Sequence, residues 1–336
     1  MKRLQCGAAA VFLVSCLASA AAPLARADDA TLALPASSLL FAPAYIAEEK
    51  GFWRDHDLNL KTLVIAGPAA TNAVLAGSAE FTMSGPGPML RAVIAGQKLI
   101  AIGNTADRLM LEVVLRQDIA EGLRTATGGD ERTRARALKG LKLGVDSING
   151  FAHTYLRYIA GRYAINPETD FTVSPMQPPA MVPALKTKAV DGFVFSQPWT
   201  LMAEAELGAV TWFSSPAGDL PEMQPYAYNM LITRSDLCPN KPKLCRKMMA
   251  GVNMALAFIH DQPAETLAIL KKRFPTMQDE LVAPAFLMLK PTLPRTAEIN
   301  EAGLKNAQDF SVVGGLIDAK NRIVDLKSLY TNDYVK

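Results

Sequence analysis

Small polar residues and glycines recur in short loops that each follow an apolar, strand-like run and precede a helix-like one. These loops span residues 37–41, 67–71, 84–88, 147–151 and 196–199. In an open α/β sheet such loops lie at the carboxyl ends of the strands, where ligands bind. Hydroxyl groups and the free N–H groups of a helix start favour an anion or a carbonyl oxygen there. The residue types predict noncovalent capture of a polar ligand, with helix capping as the alternative for any single loop.

Catalytic chemistry finds little support in the residue spacing. The three histidines, His56, His153 and His260, are far apart and form no metal-ligand or triad pattern. The Gly-Pro-Gly at residues 85–87 lacks the third glycine of a dinucleotide-binding fingerprint, since Leu90 stands in its place. The sequence therefore predicts a protein that is not an enzyme and that holds no metal and no cofactor.

Aromatic and acidic residues stand beside the same loops. Five aromatic residues are placed where they can form the walls of an apolar pocket with polar tips: Phe41, Phe151, Trp199, Tyr226 and Tyr228. Trp53 and Trp212 are instead assigned to packing. Asp107, Asp146 and Asp191 lie near strand ends, and each can serve as a helix cap, a hinge group or a contact to a ligand amine.

The elements that position these loops alternate between strand and helix. Apolar strand-like runs at 31–34, 60–65, 81–83 and 99–102 form a first series, and runs at 141–145, 171–173, 192–195 and 210–213 form a second. A charged, weakly apolar stretch at 118–139 separates them and is expected to connect two lobes. Long helices are expected towards the end of the chain. This succession predicts α/β architecture with mostly parallel sheets.

The amino terminus has the pattern of an export signal. Lys2 and Arg3 precede an apolar stretch at 7–22, and Ala25-Arg26-Ala27 fits a signal peptidase site, so residues 1–27 are expected to form a signal peptide. A lipoprotein anchor at Cys16 is the minor alternative. Without this leader the chain has 32 basic and 32 acidic residues, and this balance gives no reason to expect nucleic acid as a partner.

Two cysteines remain after the expected cleavage, Cys238 and Cys245, in a Cys-x6-Cys pattern. In an oxidising compartment such a pair favours a disulfide. Zinc is the rival interpretation, but the pair has no nearby histidine and supplies two ligands where a structural zinc site has four.

Four segments resemble one family of importer proteins. Residues 42–53 (APAYIAEEKGFW) resemble the P-x-Y-x-A-x-E-x-G-F-F opening of the nitrate-, sulfonate- and taurine-type substrate-binding proteins of ABC importers, which also include binders of thiamine-pyrimidine precursors. Residues 73–81 (AVLAGSAEF) are similar to A-L-x-x-G-x-A-D, with Glu80 for the usual Asp. Residues 138–145 (LKGLKLGV) resemble L-K-G-K-K-I-G-V, and residues 184–193 (ALKTKAVDGF) resemble A-L-x-x-G-x-V-D-A.

The resemblance implies a two-lobe type II periplasmic-binding-protein fold with two crossover strands as the hinge. Residues 28–115 and 222–336 are expected to form lobe 1, and residues 116–221 to form lobe 2. The implied function is that of a monomeric periplasmic protein that captures a small organic ligand and delivers it to the permease of an inner-membrane ABC importer. Two alternatives stay open: a sensor or scavenging partner, and an enzyme on the same fold related to pyrimidine-precursor synthases or menaquinone-pathway enzymes.

The resemblance also implies which residues contact the ligand. By position these are Ser38, Phe41, Ser84, Gly85, Ser147, Asn149, Gly150, Ser196, Gln197 and Trp199. Phe151, Tyr226 and Tyr228 from the aromatic set complete the predicted site. The site loops contain no Arg or Lys, which weakens an assignment to bare nitrate or sulfonate. An aromatic or heterocyclic body with a polar end fits the predicted walls better than a simple sulfonate-like anion does.

Overall fold

The computed structural model describes residues 27–123, 129–275, 277 and 279–336 of the 336-residue chain. Except for Ala27, the expected signal peptide lies outside the described residues, and so does Cys16. The strands are β1 Asp28–Leu34, β2 Leu58–Val64, β3 Phe81–Ser84, β4 Leu99–Ala106, β5 Glu112–Leu115, β6 Lys142–Val145, β7 Thr172–Pro175, β8 Gly192–Phe195, β9 Val210–Ser214 and β10 Asn229–Arg234.

The helices are α1 Ala42–Lys50, α2 Ala69–Leu75, α3 Pro86–Ile94, α4 Gln117–Gly122, α5 Glu131–Arg136, α6 Phe151–Arg162, α7 Met181–Lys186, α8 Trp199–Leu207, α9 Leu237–Asn240, α10 Pro242–Asp261, α11 Pro263–Arg273, α12 Asp279–Leu289 and α13 Glu301–Val313. Glycine ends α1, because Gly51 adopts the left-handed φ of 75° that closes a helix at little steric cost. None of the described helices is long and apolar enough to cross a membrane.

Two five-stranded sheets with the same strand order form the two lobes. The first sheet has the order β2-β1-β3-β10-β4, and the second has the order β7-β6-β8-β5-β9. In each sheet the first three strands are parallel, and the fourth is antiparallel to both of its neighbours. The prediction of α/β architecture in two lobes is confirmed.

The predicted boundary after residue 115 needs a correction. β5 pairs with β8 and β9, so that Glu112 faces Phe195 on one side and Ser214 on the other. The second lobe therefore begins at Glu112. The prediction assigned β5 to the wrong lobe because either sheet can accept a short apolar strand beside its third strand. The apolar pattern does not distinguish between the two sheets.

The charged stretch at 118–139 was expected to connect the lobes, and its described part belongs to the second lobe instead. The Arg134 side chain in α5 donates to the carbonyl oxygen of Trp212 at 2.8 Å and to Asp219 at 3.0 Å. The Trp212 indole N–H donates back to the Arg134 carbonyl oxygen at 2.9 Å. These contacts hold α5 against β9, because a polar helix face can pack on a sheet when its charged groups find partners.

The true connections between the lobes are residues 107–111 and residues 215–228. They run side by side: the backbone N–H of Tyr226 donates to Asp107 at 2.8 Å, and that of Ser215 donates to Leu111 at 3.1 Å. The Tyr228 N–H also donates to Ala106 at 2.9 Å. The two crossovers therefore form a hydrogen-bonded pair that joins the lobes.

The C-terminal helices pack mainly on the first lobe, as predicted. Trp53 is buried against α10 and donates its indole N–H to the Met248 carbonyl oxygen at 3.0 Å. Cys238 and Cys245 form a disulfide with their Cα atoms 5.6 Å apart, which confirms the predicted pairing. Two of these helices also contact the second lobe: α12 contacts α8, and α13 packs against α6, where Phe310 stacks on Tyr158 with ring centroids 5.4 Å apart.

Candidate functional site

A cavity of about 430 Å³ lies between the lobes, at the carboxyl ends of strands from both sheets. This volume falls within the range of small-molecule sites, and the location is the one where open α/β sheets bind ligands. Ten of the predicted site residues line the cavity: Ser38, Phe41, Ser84, Gly85, Ser147, Asn149, Gly150, Phe151, Ser196 and Tyr228. The structure thus brings loops from both lobes to one space between them.

Three predicted site residues lie outside the cavity wall. Gln197 lines a separate small void together with Met110, Ala285 and Leu289. Trp199 begins α8 and packs against the hydrophobic core of the second lobe. Tyr226 is fully buried behind the wall, where its ring contacts Phe151, Tyr228 and Phe310. Tyr226 thus faces the protein interior, whereas Gln197 and Trp199 are half-buried and lie outside the cavity lining.

The wall of the first lobe contains small residues and prolines. Ser38 ends the loop after β1, and its Oγ accepts a hydrogen bond from the Leu40 N–H at 3.2 Å. Ser84 ends β3 and is 5% exposed, and Gly85 is the N-cap of α3. The first and third residues of that helix are Pro86 and Pro88, which suit a helix start because they carry no N–H group.

The wall of the second lobe is a tight loop between β6 and α6. Asp146 Oδ1 accepts a hydrogen bond from the Ala152 N–H at 3.3 Å. A Cβ atom at Gly150 would lie 2.7 Å from each carboxylate oxygen of Asp146 and would overlap Ser147 Oγ. Burial raises the pKa of Asp146 above its ordinary value, although the N–H groups of Ser147 and Ala152 act in the opposite direction. An acidic group thus occupies the start of a helix inside the cavity.

Asn149 is held in an unusual backbone conformation within this loop. Its φ of 58° lies in the left-handed region, which asparagine adopts more readily than most residues. Its backbone N–H donates to Nδ1 of His153 at 2.9 Å. Burial lowers the pKa of His153, with help from Arg157, so the neutral ring can accept this hydrogen bond. His153 is therefore a support for the loop, a role that the sequence pattern did not reveal.

Two polar residues of the cavity wall were missed. Arg91 lies in the second turn of α3, three residues after Pro88, so helical periodicity was the available signal. The site loops contain no Arg or Lys, but α3 places one guanidinium at the wall. Asn229 begins β10 and is fully buried. No local signal marks it, since its place depends on the crossover that enters the sheet.

A larger depression of about 600 Å³ lies elsewhere on the first lobe. Its lining includes Asp29 and Thr31 of β1, Asn59 and Lys61 of β2, and Glu80, so it lies at the amino ends of these strands. This is the edge opposite to the one that binds ligands in α/β sheets. The predicted site residues are absent from its lining, and the interlobe cavity is the candidate site for both reasons.

Solved structures share this fold. The periplasmic aliphatic sulphonate binding protein SsuA of Escherichia coli superposes with a TM-score of 0.70 at 15% identity, over 92% of this chain and 99% of that chain. The periplasmic nitrate-binding protein NrtA of Synechocystis gives a TM-score of 0.68 at 15% identity, over 91% and 86%. These similarities confirm the predicted periplasmic-binding-protein fold. The desulfurization enzyme DSZB also matches, with a TM-score of 0.63 at 15% identity over 92% and 97%, so the fold is compatible with catalysis too.

Sequence comparison also relates this chain to binding proteins. The "Putative binding protein" of Brucella abortus is 25% identical over 232 residues, which cover 68% of this chain and 66% of that relative. The match thus spans just under two thirds of the relative's length. The sequence model of the NMT1-like family matches residues 37–271, a stretch that includes the site loops of both lobes and both crossovers. On the strength of that match, the chain belongs to the NMT1-like family.

Proposed function

We propose that this chain is a solute-binding protein that captures a small organic ligand between its lobes and delivers it to an inner-membrane ABC importer. The observation that carries the proposal is the cavity of about 430 Å³, whose wall comes from both lobes. A ligand in this space touches both lobes at once only when they are closed. Ligand binding therefore shifts the population towards the closed form by its difference in affinity for the two forms.

The cavity wall favours a ligand with a substantial apolar or aromatic body. Phe41, Phe151, Tyr228 and Leu316 line it beside the small hydroxyl groups of the loops. An aromatic or heterocyclic molecule can pack on these rings, and its polar end can reach the serines. A sulfonate-like anion is the second ligand class that the family resemblance brings into consideration.

We further propose that the protein acts in the periplasm as a monomer, without catalysing a reaction. The disulfide between Cys238 and Cys245 supports an oxidising compartment. Within the described ranges, no group of three or more His, Cys, Asp or Glu is placed to hold a metal ion. The histidine nearest to the cavity loop, His153, uses its Nδ1 to support the Asn149 backbone. Capture is thus a better explanation of the site than chemistry.

Binding can be tested with the chain from Asp28 to Lys336, purified and screened by thermal shift against sulfonates, aromatic acids, amines and pyrimidines. The hit is then titrated calorimetrically against Asn149→Gly, which removes the side chain while tolerating the positive φ. We expect binding to weaken by about 1–3 kcal/mol if the amide pairs with a buried ligand group, with little change in melting temperature.

Asn59→Ala, on the outer depression, is the matched control and should bind as the wild type does. Unchanged affinity of Asn149→Gly would remove Asn149 from the site. A wild-type protein that bound no member of any series would contradict the proposed function.

A further inference from the structure

A histidine side chain holds the tip of the loop between β6 and α6. Four residues of this loop line the interlobe cavity: Ser147, Ile148, Asn149 and Gly150. The Asn149 backbone N–H donates to Nδ1 of His153 at 2.9 Å. Asn149 has a left-handed φ of 58°, a conformation that persists in a non-glycine residue only where its surroundings hold it. The hydrogen bond to His153 is therefore one of the contacts that fix the second-lobe wall of the cavity.

This hydrogen bond requires a neutral imidazole ring with its hydrogen on Nε2. An imidazole nitrogen accepts through its lone pair, so Nδ1 of His153 must carry no hydrogen here. The side chain is buried, and burial lowers the pKa of His153, with Arg157 adding to the effect and Glu168 opposing it. Neutral pH therefore supports the form of the ring that the loop needs.

Protonation of the ring turns this acceptor into a donor. The imidazolium carries a hydrogen on each nitrogen, so an Nδ1–H group would face the Asn149 N–H group across 2.9 Å. The two hydrogens repel each other, and the Asn149 amide loses its partner. Packing does little to keep the tip in place, since Ile148, which precedes Asn149, is 52% exposed. The loop is thus able to move when the ring takes up a proton.

The other charged groups around α6 must be separated from His153. Two ion pairs lie along the helix: Arg157 with Glu168, and Arg162 with Glu222. From α13 the Gly314 carbonyl oxygen accepts from Arg157 at 2.9 Å and brings no charge, and β8 contains no charged residue. The Asp146 carboxyl group belongs to the same loop, and burial raises its pKa. An experiment on pH therefore has to distinguish Asp146 from His153.

We infer that His153 is a positioning residue whose protonation releases residues 147–150 from the cavity wall, so that the protein holds its solute less tightly as the pH falls. The statement about the solute rests on the proposed function, and the statement about the loop does not. In the released loop the ring regains its ordinary pKa of about 6.5. The stabilisation of the held loop is thus fully present above this pH and is lost as the pH falls towards the lower pKa of the held ring.

Amide hydrogen exchange at Asn149 tests the release on the purified chain from Asp28 to Lys336, with no solute added. Protection factors, which are corrected for the intrinsic dependence of exchange on pH, are compared at about pH 7.5 and about pH 5. We expect the wild type to lose at least about fivefold and at most about thirtyfold in protection, because the released ring binds a proton more readily than the held ring. The ¹⁵N shifts of the imidazole should show the hydrogen of His153 on Nε2 at the higher pH.

His153→Asn is the decisive variant, because Oδ1 of asparagine can take the place of Nδ1 and accepts without titrating. Any loss of ring packing lowers protection alike at both pH values, so the ratio of the two isolates the titration. This ratio should stay within about twofold, and since the variant keeps Asp146, a remaining change belongs to that carboxyl group. His56→Asn, the same change at a histidine of the first lobe, is the matched control and should keep the full wild-type ratio.

Two results would each overturn the inference. One is the same ratio in the wild type and in His153→Asn, and the other is a hydrogen on Nδ1 of His153 at about pH 7.5. Either result leaves the proposed function standing, because capture of a solute does not require a loop that responds to pH. The expected ratios together with a ligand screen that yields no binder would instead remove the proposed function and keep the release of the loop.

Discussion

The two sheets share one strand order but differ in charge where the crossover strand enters. In the first sheet the antiparallel strand β10 begins with Asn229, and in the second the antiparallel strand β5 begins with Glu112. Both side chains are buried. Asn229 is neutral and bonds to Thr105, whereas Glu112 accepts hydrogen bonds from the hydroxyl groups of Ser214, at 2.8 Å, and Thr200. Each lobe thus has a buried polar residue at the start of its antiparallel fourth strand, and only that of the second lobe is acidic.

The helices that begin at the cavity also differ between the two lobes. The first lobe has Gly85 followed by prolines, in open surroundings, since a Cβ at Gly85 would meet only the Tyr228 carbonyl oxygen at 3.7 Å. The second lobe has Gly150 packed under the Asp146 carboxylate. Equal topology therefore does not give equal chemistry. The first lobe supplies an open wall that includes the Arg91 guanidinium, and the second supplies a tight, acidic loop.

The largest expected effect comes from Phe310→Ala, which removes the main aromatic link between the lobes. Phe310 belongs to α13 of the first lobe, is fully buried, and contacts Phe151, Tyr155 and Tyr158 of the second lobe. Truncating a buried phenylalanine lowers the free energy of unfolding by about 3–5 kcal/mol. Urea denaturation followed by circular dichroism measures this loss.

Val313→Ala, at a residue that is 47% exposed on the same helix, is the control for Phe310→Ala and should stay within about 0.5 kcal/mol of the wild type. A Phe310→Ala protein that lost less than about 1 kcal/mol would mean that the lobes do not depend on this contact. Two separate unfolding transitions in the variant would show that α13 couples otherwise independent lobes.

An intermediate effect is expected from alanine at the two matched glycines. Both have extended backbone angles, so a side chain brings no backbone strain at either position. Gly150→Ala forces Ser147 and Asp146 to move and should lower the free energy of unfolding by about 1–3 kcal/mol. Gly85→Ala should stay within about 0.5 kcal/mol of the wild type. Equal losses at the two positions would contradict the difference between an open and a tight wall.

The sequence predicted more of the fold than of the site. Alternating strand and helix patterns located the site loops, and Ser84, Asn149 and Phe151 lie at the cavity because loops at strand ends must meet there. The same reasoning could not tell that Trp199 packs against the core of the second lobe and not on the cavity, since loop position does not determine side-chain direction. Asn229 was not predicted for another reason: its place at the wall depends on the chain crossing over from the other lobe.

The smallest expected effect is a difference between β5 and β10 in how their buried polar residues make the free energy of unfolding depend on pH. Burial raises the pKa of Glu112, with Glu204 adding to the effect, and the hydroxyl groups of Thr200 and Ser214 oppose it. The folded protein therefore binds this proton more tightly than the unfolded chain does. The resulting stabilisation is fully present below the unfolded-state pKa, about 4.3, and is lost as the pH rises through the higher folded-state pKa.

Glu112→Gln removes this titration, so the wild type should gain stability relative to the variant as the pH falls from neutral towards about 5. Asn229→Asp introduces a buried carboxyl group into the first sheet. In this case the variant should gain stability relative to the wild type as the pH falls over the same interval. Changes of about 1 kcal/mol are expected, measured as differences in the free energy of unfolding between each variant and the wild type. Other carboxylates, such as Asp130 and Asp170, have lowered pKa values, but their contributions cancel in these differences. If Glu112→Gln followed the wild-type pH profile, Glu112 would titrate alike in the folded and unfolded chains, and the contrast between an acidic and a neutral crossover strand would have no energetic consequence.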